Sequence, residues 1–306
     1  MSNEESFLLE GAGVHGSFLG LPEELSGYEN ARVCILPVPF EASTSFGHGT
    51  AKGPEALIES SRNLEGYDVE TGIEVFQVGI HTAPAIIADT AEVMLDQVER
   101  GVAKILADGK FPVVLGGEHT ISAAPIRSVA AVHPGLSVLQ FDAHADLRDE
   151  YEGNKHSHAS VMARARECSD VKNIVAVGIR SVAKKEAAAI VREDTFFDHE
   201  IAAQTDWVER VIQRLSDKVY ITFDIDAFSS SIMPATGTPE PGGVDWFQAL
   251  SLLREVCRRK QVVGFDLVEL MPLEGLEAPN FTAAKLLYKF LNYRFSNELS
   301  DEERSV

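Results

Sequence analysis

Val138-Leu139-Gln140-Phe141-Asp142-Ala143-His144-Ala145-Asp146 is the stretch on which the fold turns. An apolar run broken only by Gln140 ends abruptly in Asp, His and Asp at alternate positions. A strand apolar on both sides belongs inside a parallel sheet covered by helices on each face. Ligands of such sheets gather beyond the carboxyl ends of the strands, which is where the polar triplet falls.

The same transition recurs on either side. Pro112–Leu115 leads into Gly116-Gly117-Glu118-His119, and Val219–Phe223 leads into Asp224-Ile225-Asp226. Val262–Leu267, followed by Val268, leads to Glu269. Two further apolar runs, Val33–Pro37 and Asn173–Val177, also read as strands. Helix-like segments alternate with them at Gly53–Arg62, Ala91–Ala107, Ala159–Arg166, Trp207–Leu215, Trp246–Arg258 and Thr282–Tyr293. This alternation predicts the α/β class, a three-layer α/β/α sandwich around a central, mainly parallel β-sheet with right-handed crossovers. Neither an internal repeat nor a low-complexity linker divides the chain. One domain over residues 1–306 is expected, with loose ends at about 1–10 and 297–306.

Composition narrows the class of function. Apolar residues make up 45% of the chain, enough for a substantial core. The formal net charge of −20 disfavours nucleic-acid binding through a basic patch. Such a field would concentrate a cationic substrate or metal ions, or it could simply keep the surface soluble. The N-terminal region has no apolar run behind a basic start, which argues against a signal peptide, and no stretch approaches the length of a membrane span. Cys34, Cys168 and Cys257 are widely spaced, forming neither a zinc-type pattern nor a disulfide framework. A reducing cytoplasm is the simplest expected setting.

Chemistry follows from spacing. In extended chain, positions i, i+2 and i+4 project to one side, so Asp142, His144 and Asp146 can enter one crevice, as can Asp224 and Asp226. Four crowded carboxylates repel one another unless they are protonated or bound to cations. With His119 and His144 they make a mainly oxygen donor set, which suits manganese better than structural zinc. Six donors exceed what one ion with an open position needs. Two ions about 3.5–4 Å apart, sharing aspartates, would use them all. A lone Asp-x-Asp after a strand is commonly a turn or a helix cap, but three clusters that each close an apolar strand point to a metal site.

The segments LGGEHTIS (115–122), VLQFDAHAD (138–146) and TFDIDAF…MPATGTPEPGG (222–243) resemble the three motif blocks of the ureohydrolase family, which includes arginases and agmatinases. The likeness runs from about Val33 to about Tyr293 and takes in Gly47–Ser61 and the Val268-Glu269-Leu270 stretch. It implies an arginase/deacetylase-like fold and two Mn(II) ions per subunit with a bridging hydroxide. Asp142 and Asp224 would bridge the ions; His119 and Asp146 would complete one site, His144 and Asp226 the other. The same resemblance casts Asp146 as a proton acceptor and Glu269 as the partner of the guanidinium. His158 becomes the proton shuttle, with His156 as a competitor, and Thr238 a residue lining the substrate pocket. It also implies a homo-oligomer, trimer or hexamer.

The chain departs from the family at several positions. Ser229 and Ser230 stand where the family often has Asp-Pro, which puts loop rigidity in question. Glu118 replaces the Asp usual in arginases. Arg148 occupies a position where arginases carry a small polar residue that helps to recognise arginine. The loop holding Asp149, Glu150 and Glu152 is instead acidic, as if to meet a distal ammonium. The expected reaction is therefore agmatine to putrescine and urea, a step of polyamine biosynthesis. The N1-aminopropyl derivative of agmatine, giving spermidine, is the near alternative, ahead of guanidinobutyrate or other guanidino acids and of arginine. From other classes come a catalytically silent oligomeric scaffold and a single-zinc amide hydrolase.

Overall fold

The computed structural model describes residues 11–299. Residues 1–10 and 300–306, expected as loose ends, lie outside the described residues. Residues 297–299 lie inside them: Leu299 is buried, and Glu298 pairs with Arg32 at 2.8 Å and Arg294 at 2.7 Å.

Eight strands form one sheet: β1 (Val33–Val38), β2 (Ile80–Thr82), β3 (Phe111–Gly116), β4 (Leu136–Phe141), β5 (Val171–Ile179), β6 (Thr195–Phe197), β7 (Lys218–Asp224) and β8 (Gln261–Val268). Their order is β2-β1-β3-β8-β7-β4-β5-β6, and every pairing is parallel. The strands expected from apolar runs all form. The two three-residue edge strands, β2 and β6, are too short to show a periodicity and went unread.

Side chains alternate across the sheet and seed two cores. On one face Val33, Ile35, Val113, Leu139, Ile221 and Phe265 pack against α1 (Gly53–Ser61), α5 (Trp207–Arg214), α6 (Trp246–Arg259) and α7 (Ala278–Phe295). On the other, Cys34, Leu36, Val114, Val138, Tyr220 and Val263 meet α2 (Ala91–Ala107), α3 (Ala123–Val132) and α4 (Val161–Arg166). This is the three-layer sandwich that the strand–helix alternation predicted. Helix α3 was missed because Ala-Ala-Pro-Ile-Arg-Ser-Val-Ala-Ala-Val is apolar almost all round and shows no clean stripe. Among the described residues, no helix is long and apolar enough to cross a membrane.

The strand order matters most for function. The four strands that end in polar residues, β3, β8, β7 and β4, are consecutive neighbours in the sheet. Parallel pairing puts all their carboxyl ends along one edge. His119, Glu269, Asp224, Asp226 and the Asp142–Asp146 stretch are therefore brought side by side from positions up to 150 residues apart.

Candidate metal centre and substrate cleft

Three of the four aspartates use one oxygen to fix themselves. Asp142 Oδ1 accepts the His144 amide at 2.6 Å, Asp224 Oδ1 accepts the Asp226 amide at 2.8 Å, and Asp226 Oδ1 accepts the Ala143 amide at 2.9 Å. The i, i+2 spacing read from sequence thus does more than align side chains, because at Asp142 and Asp224 it locks the carboxylate by an Asx-type turn, while Asp226 is tied across to the end of β4. The remaining oxygens converge. Asp142, Asp146 and Asp224 lie 3.3, 3.0 and 3.4 Å from His119 Nδ1, and Asp226 lies 2.9 Å from His144 Nδ1. Two potential metal groups emerge, His119 with Asp142 and Asp224, and His144 with Asp142 and Asp226; Asp142 belongs to both.

His119 shows what this donor set lacks. Its Nε2 is 2.9 Å from Thr222 Oγ1, whose hydroxyl donates to Asp266 at 2.7 Å. A neutral ring therefore carries its hydrogen on Nε2 and a lone pair on Nδ1. Nδ1 is buried without a hydrogen bond, although three carboxylate oxygens surround it. A lone pair facing three anions is held together only by added positive charge, and against burial the three carboxylates pull the His119 pKa well above its ordinary value. The residues fit divalent cations, oxygen-rich with one imidazole at each position.

The charges tell the same story. Burial, then the nearby Asp226 and Asp142, push the Asp224 carboxyl well above its ordinary range. Burial and the Asp142 charge raise Asp146 to about 7. Burial also drives Glu269 well upward. His144, despite burial, is pushed up to about 12 by Asp226 and Asp142. The backbone carries strain at the same place: Asp146 and Glu269 have φ of 51° and 65°, left-handed values that cost about 1–3 kcal/mol each at non-glycine residues.

The Gly116-Gly117 pair is required by close approach. A Cβ on Gly117 would lie 2.1 Å from the Phe40 carbonyl oxygen, so only glycine lets the loop after β1 run beside the end of β3. Glu269 closes the arrangement: its amide donates to the Gly117 carbonyl at 2.8 Å, and its Oε1 accepts the His119 amide at 2.6 Å.

A cleft opens over this centre, lined by His144, Asp146, Arg148, Tyr151, His158 and Thr238 among others. A sequence model of the Arginase family matches residues 31–292. The chain belongs to the arginase family. It is 38% identical over 283 residues to the N(1)-aminopropylagmatine ureohydrolase of Synechocystis sp., covering 89% of this chain and 92% of that protein. Identity is also 38% over 275 residues to the enzyme of the same name from Thermus thermophilus, covering 87% and 91%. Among solved structures, the agmatine ureohydrolase of Thermoplasma volcanium superposes with a TM-score of 0.81 at 31% identity, covering 90% of this chain and 94% of that one.

Within this arginase-family site, His158 lines the cleft and His156 does not. Burial lowers the His158 pKa, with the Glu118 charge opposing it. Thr238 stands at the cleft with its hydroxyl 3.4 Å from Asp226. The acidic loop behaves otherwise than expected. Asp149 turns to Arg164 at 2.9 Å, and none of Asp149, Glu150 and Glu152 lines the cleft. Besides Asp146, the carboxylate that does is Glu186, from a loop some 40 residues further on; it accepts the Leu147 and Ala183 amides and pairs with Arg148 at 3.3 Å. Arg148 also stacks on Tyr151, 4.8 Å from the ring centre.

The Ser229-Ser230 departure does not leave this arginase-family loop loose. Arg180 donates to the main-chain carbonyls of Asp226 (2.7 Å), Phe228 (3.2 Å), Glu240 (3.1 Å) and Pro241 (3.1 Å). One guanidinium thus ties the end of β7 to the loop that carries Thr238. No sequence motif flagged Arg180 or Glu186, because each acts through contacts far along the chain.

Proposed function

We propose that this protein hydrolyses the guanidino group of a cationic aminoalkylguanidine and releases urea, using two manganese ions. The observation behind the reading is His119 Nδ1, buried, ringed by three carboxylates and given no hydrogen bond by the protein. His119 and Asp146 would hold one ion, His144 and Asp226 the other, with Asp142 and Asp224 shared. Bound there, the ion pair would lower the pKa of a shared water towards neutrality and polarise the substrate.

The chain's own residues would do the rest. Glu269 offers a planar anion to the planar guanidinium, a match that favours paired hydrogen bonds. Asp146 would take a proton at its carboxylate beside His119. His158, neutral because burial lowers its pKa, would take up a proton at its unprotonated ring nitrogen and pass it to the departing amine. Thr238 would border the substrate at the rim. We read the chain as one domain, working as a homo-oligomer, trimer or hexamer, in the cytoplasm.

Agmatine, giving putrescine and urea, is supported by the solved agmatine ureohydrolase. Its N1-aminopropyl derivative is a second reading, favoured by the higher identity, 38%, to the two relatives named for that activity. The deciding experiment loads the protein with manganese and measures urea from agmatine, aminopropylagmatine, guanidinobutyrate, guanidine and arginine. Manganese-dependent urea from one of the two amines is expected, falling at least about 1000-fold in His119→Ala/Asp226→Ala, since metal polarisation supplies several kcal/mol. No urea with two metals bound would overturn the substrate class, and no metal binding would leave the silent scaffold.

A further inference from the structure

We propose that Glu118, acting through Ser43, fixes the His158 imidazole in the tautomer that carries hydrogen on Nδ1 and presents a bare Nε2 to the cleft. The inference rests on the reading of His158 as a proton carrier. Neither Glu118 nor Ser43 needs to touch substrate; both are positioning residues.

The hydrogen-bond directions leave one solution. Glu118 is fully buried, and its Oε2 accepts the amides of Ala42 and Ser43 at 2.7 and 2.6 Å. Its Oε1 accepts the hydroxyls of Ser43 and Thr120 at 2.8 and 2.6 Å. Four donors converge on a carboxylate that has none to give. The single hydrogen of the Ser43 hydroxyl is thereby committed to Glu118, and Ser43 Oγ can only accept from anything else. It accepts the His158 backbone amide at 3.0 Å and lies 3.1 Å from His158 Nδ1. Nδ1 must therefore donate. A neutral imidazole has one hydrogen, so Nε2 keeps its lone pair. Among the described residues, no protein group hydrogen-bonds to that nitrogen, and the ring lines the cleft. The trio is not a nucleophile and its base, because the Ser43 proton points at Glu118 rather than at the imidazole.

Glu118→Gln tests this without changing shape. The carbonyl of the new amide must face the Ala42 and Ser43 amides, which turns its NH2 towards the Ser43 and Thr120 hydroxyls. Ser43 then donates to Nδ1, and the opposite tautomer follows. The direct measurement is a multiple-bond nitrogen–hydrogen NMR spectrum of the full chain labelled with 15N-histidine and loaded with diamagnetic zinc. At about pH 8 an imidazole of ordinary or lowered pKa is neutral. The His158 signals are assigned by their loss in His158→Asn. The unprotonated nitrogen should be Nε2 in the parent and Nδ1 in Glu118→Gln. Protonated Nε2 in the parent protein overturns the proposal by itself.

Kinetics on the manganese enzyme give the second arm. Glu118→Gln should lower kcat by about 100-fold, within the range of acid–base contributions, with KM and manganese content unchanged. Ser43→Ala removes the link without inverting it and should cost about tenfold or less, while Ser43→Thr, which keeps the hydroxyl, should stay within about threefold of the parent. Glu118→Gln/Ser43→Ala should therefore be faster than Glu118→Gln alone. A double variant slower than both single variants would overturn the relay. If the parent releases no urea from any guanidino compound, the functional reading fails, and the NMR result still decides the tautomer.

Discussion

Two clusters in this molecule both bury aspartates and balance them differently. On helix α7, Lys289 lies 3.0 Å from Asp68 and 2.6 Å from Glu70. Tyr293 donates to Glu70 at 2.6 Å, Arg254 adds a contact at 3.0 Å, and the Thr71 amide caps Asp68 at 3.0 Å. Burial opposes both carboxylates, yet Lys289 and the surrounding donors hold them below their ordinary values. Along the sheet edge, four aspartates and two histidines meet with no lysine or arginine among their ion-pair contacts in the described residues. There burial and the neighbouring aspartates drive Asp224 upward, while at Asp142 the two histidines outweigh burial and hold the carboxyl down. The first cluster is finished by the chain itself and acts as scaffold. The second is a charge deficit, which the proposed divalent cations would offset.

The contrast can be broken from either side. Lys289→Met should strand Asp68 without its cation and cost about 3–5 kcal/mol of stability, read from the denaturant midpoint. Manganese content and kcat should be unchanged, since the cluster lies away from the site. Adding manganese at about 100 times its dissociation constant should stabilise the parent and Lys289→Met alike by about 2.7 kcal/mol. The same addition should do nothing for His119→Ala/Asp226→Ala. Equal stabilisation of that double variant would mean the metal binds elsewhere. The smallest effect concerns acid. Asp68 has a lowered pKa in the folded state, so its contribution is complete above the ordinary carboxylate range and fades as pH falls through the folded value. The stability of Lys289→Met should therefore depend less steeply on acid pH than that of the parent, as followed by thermal melts from neutral pH down to about pH 3.

How much of this was legible in sequence differs between the same two regions. The Asp142–Asp146 and Asp224–Asp226 motifs announce themselves because a strand end compresses several donors into a few residues. The α/β layering was equally legible, since buried parallel strands leave near-continuous apolar runs. Asp68, Glu70 and Lys289 gave no signal, because their pairing spans about 220 residues and no local spacing encodes it. Glu118 was noticed only as a variant of a motif. Its link to His158 depends on Ser43, which lies 75 residues before it in the chain. The acidic loop at Asp149 misled for the converse reason: charge in sequence says nothing about which way a side chain turns.

The grip of Arg180 has a consequence for how this loop can change over generations. Its partners at Asp226, Phe228, Glu240 and Pro241 are all main-chain carbonyls, which every residue type possesses. The exposed side chains between Phe228 and Glu240 can therefore be exchanged without loosening the anchor, whereas Met233 and Ala235 are buried and bound to the core. Arg180 shares the task of keeping that stretch in place with main-chain bonds such as Ser229 to Val244 and Met271 to Ala235, and it lies far from the motifs by which the family is recognised.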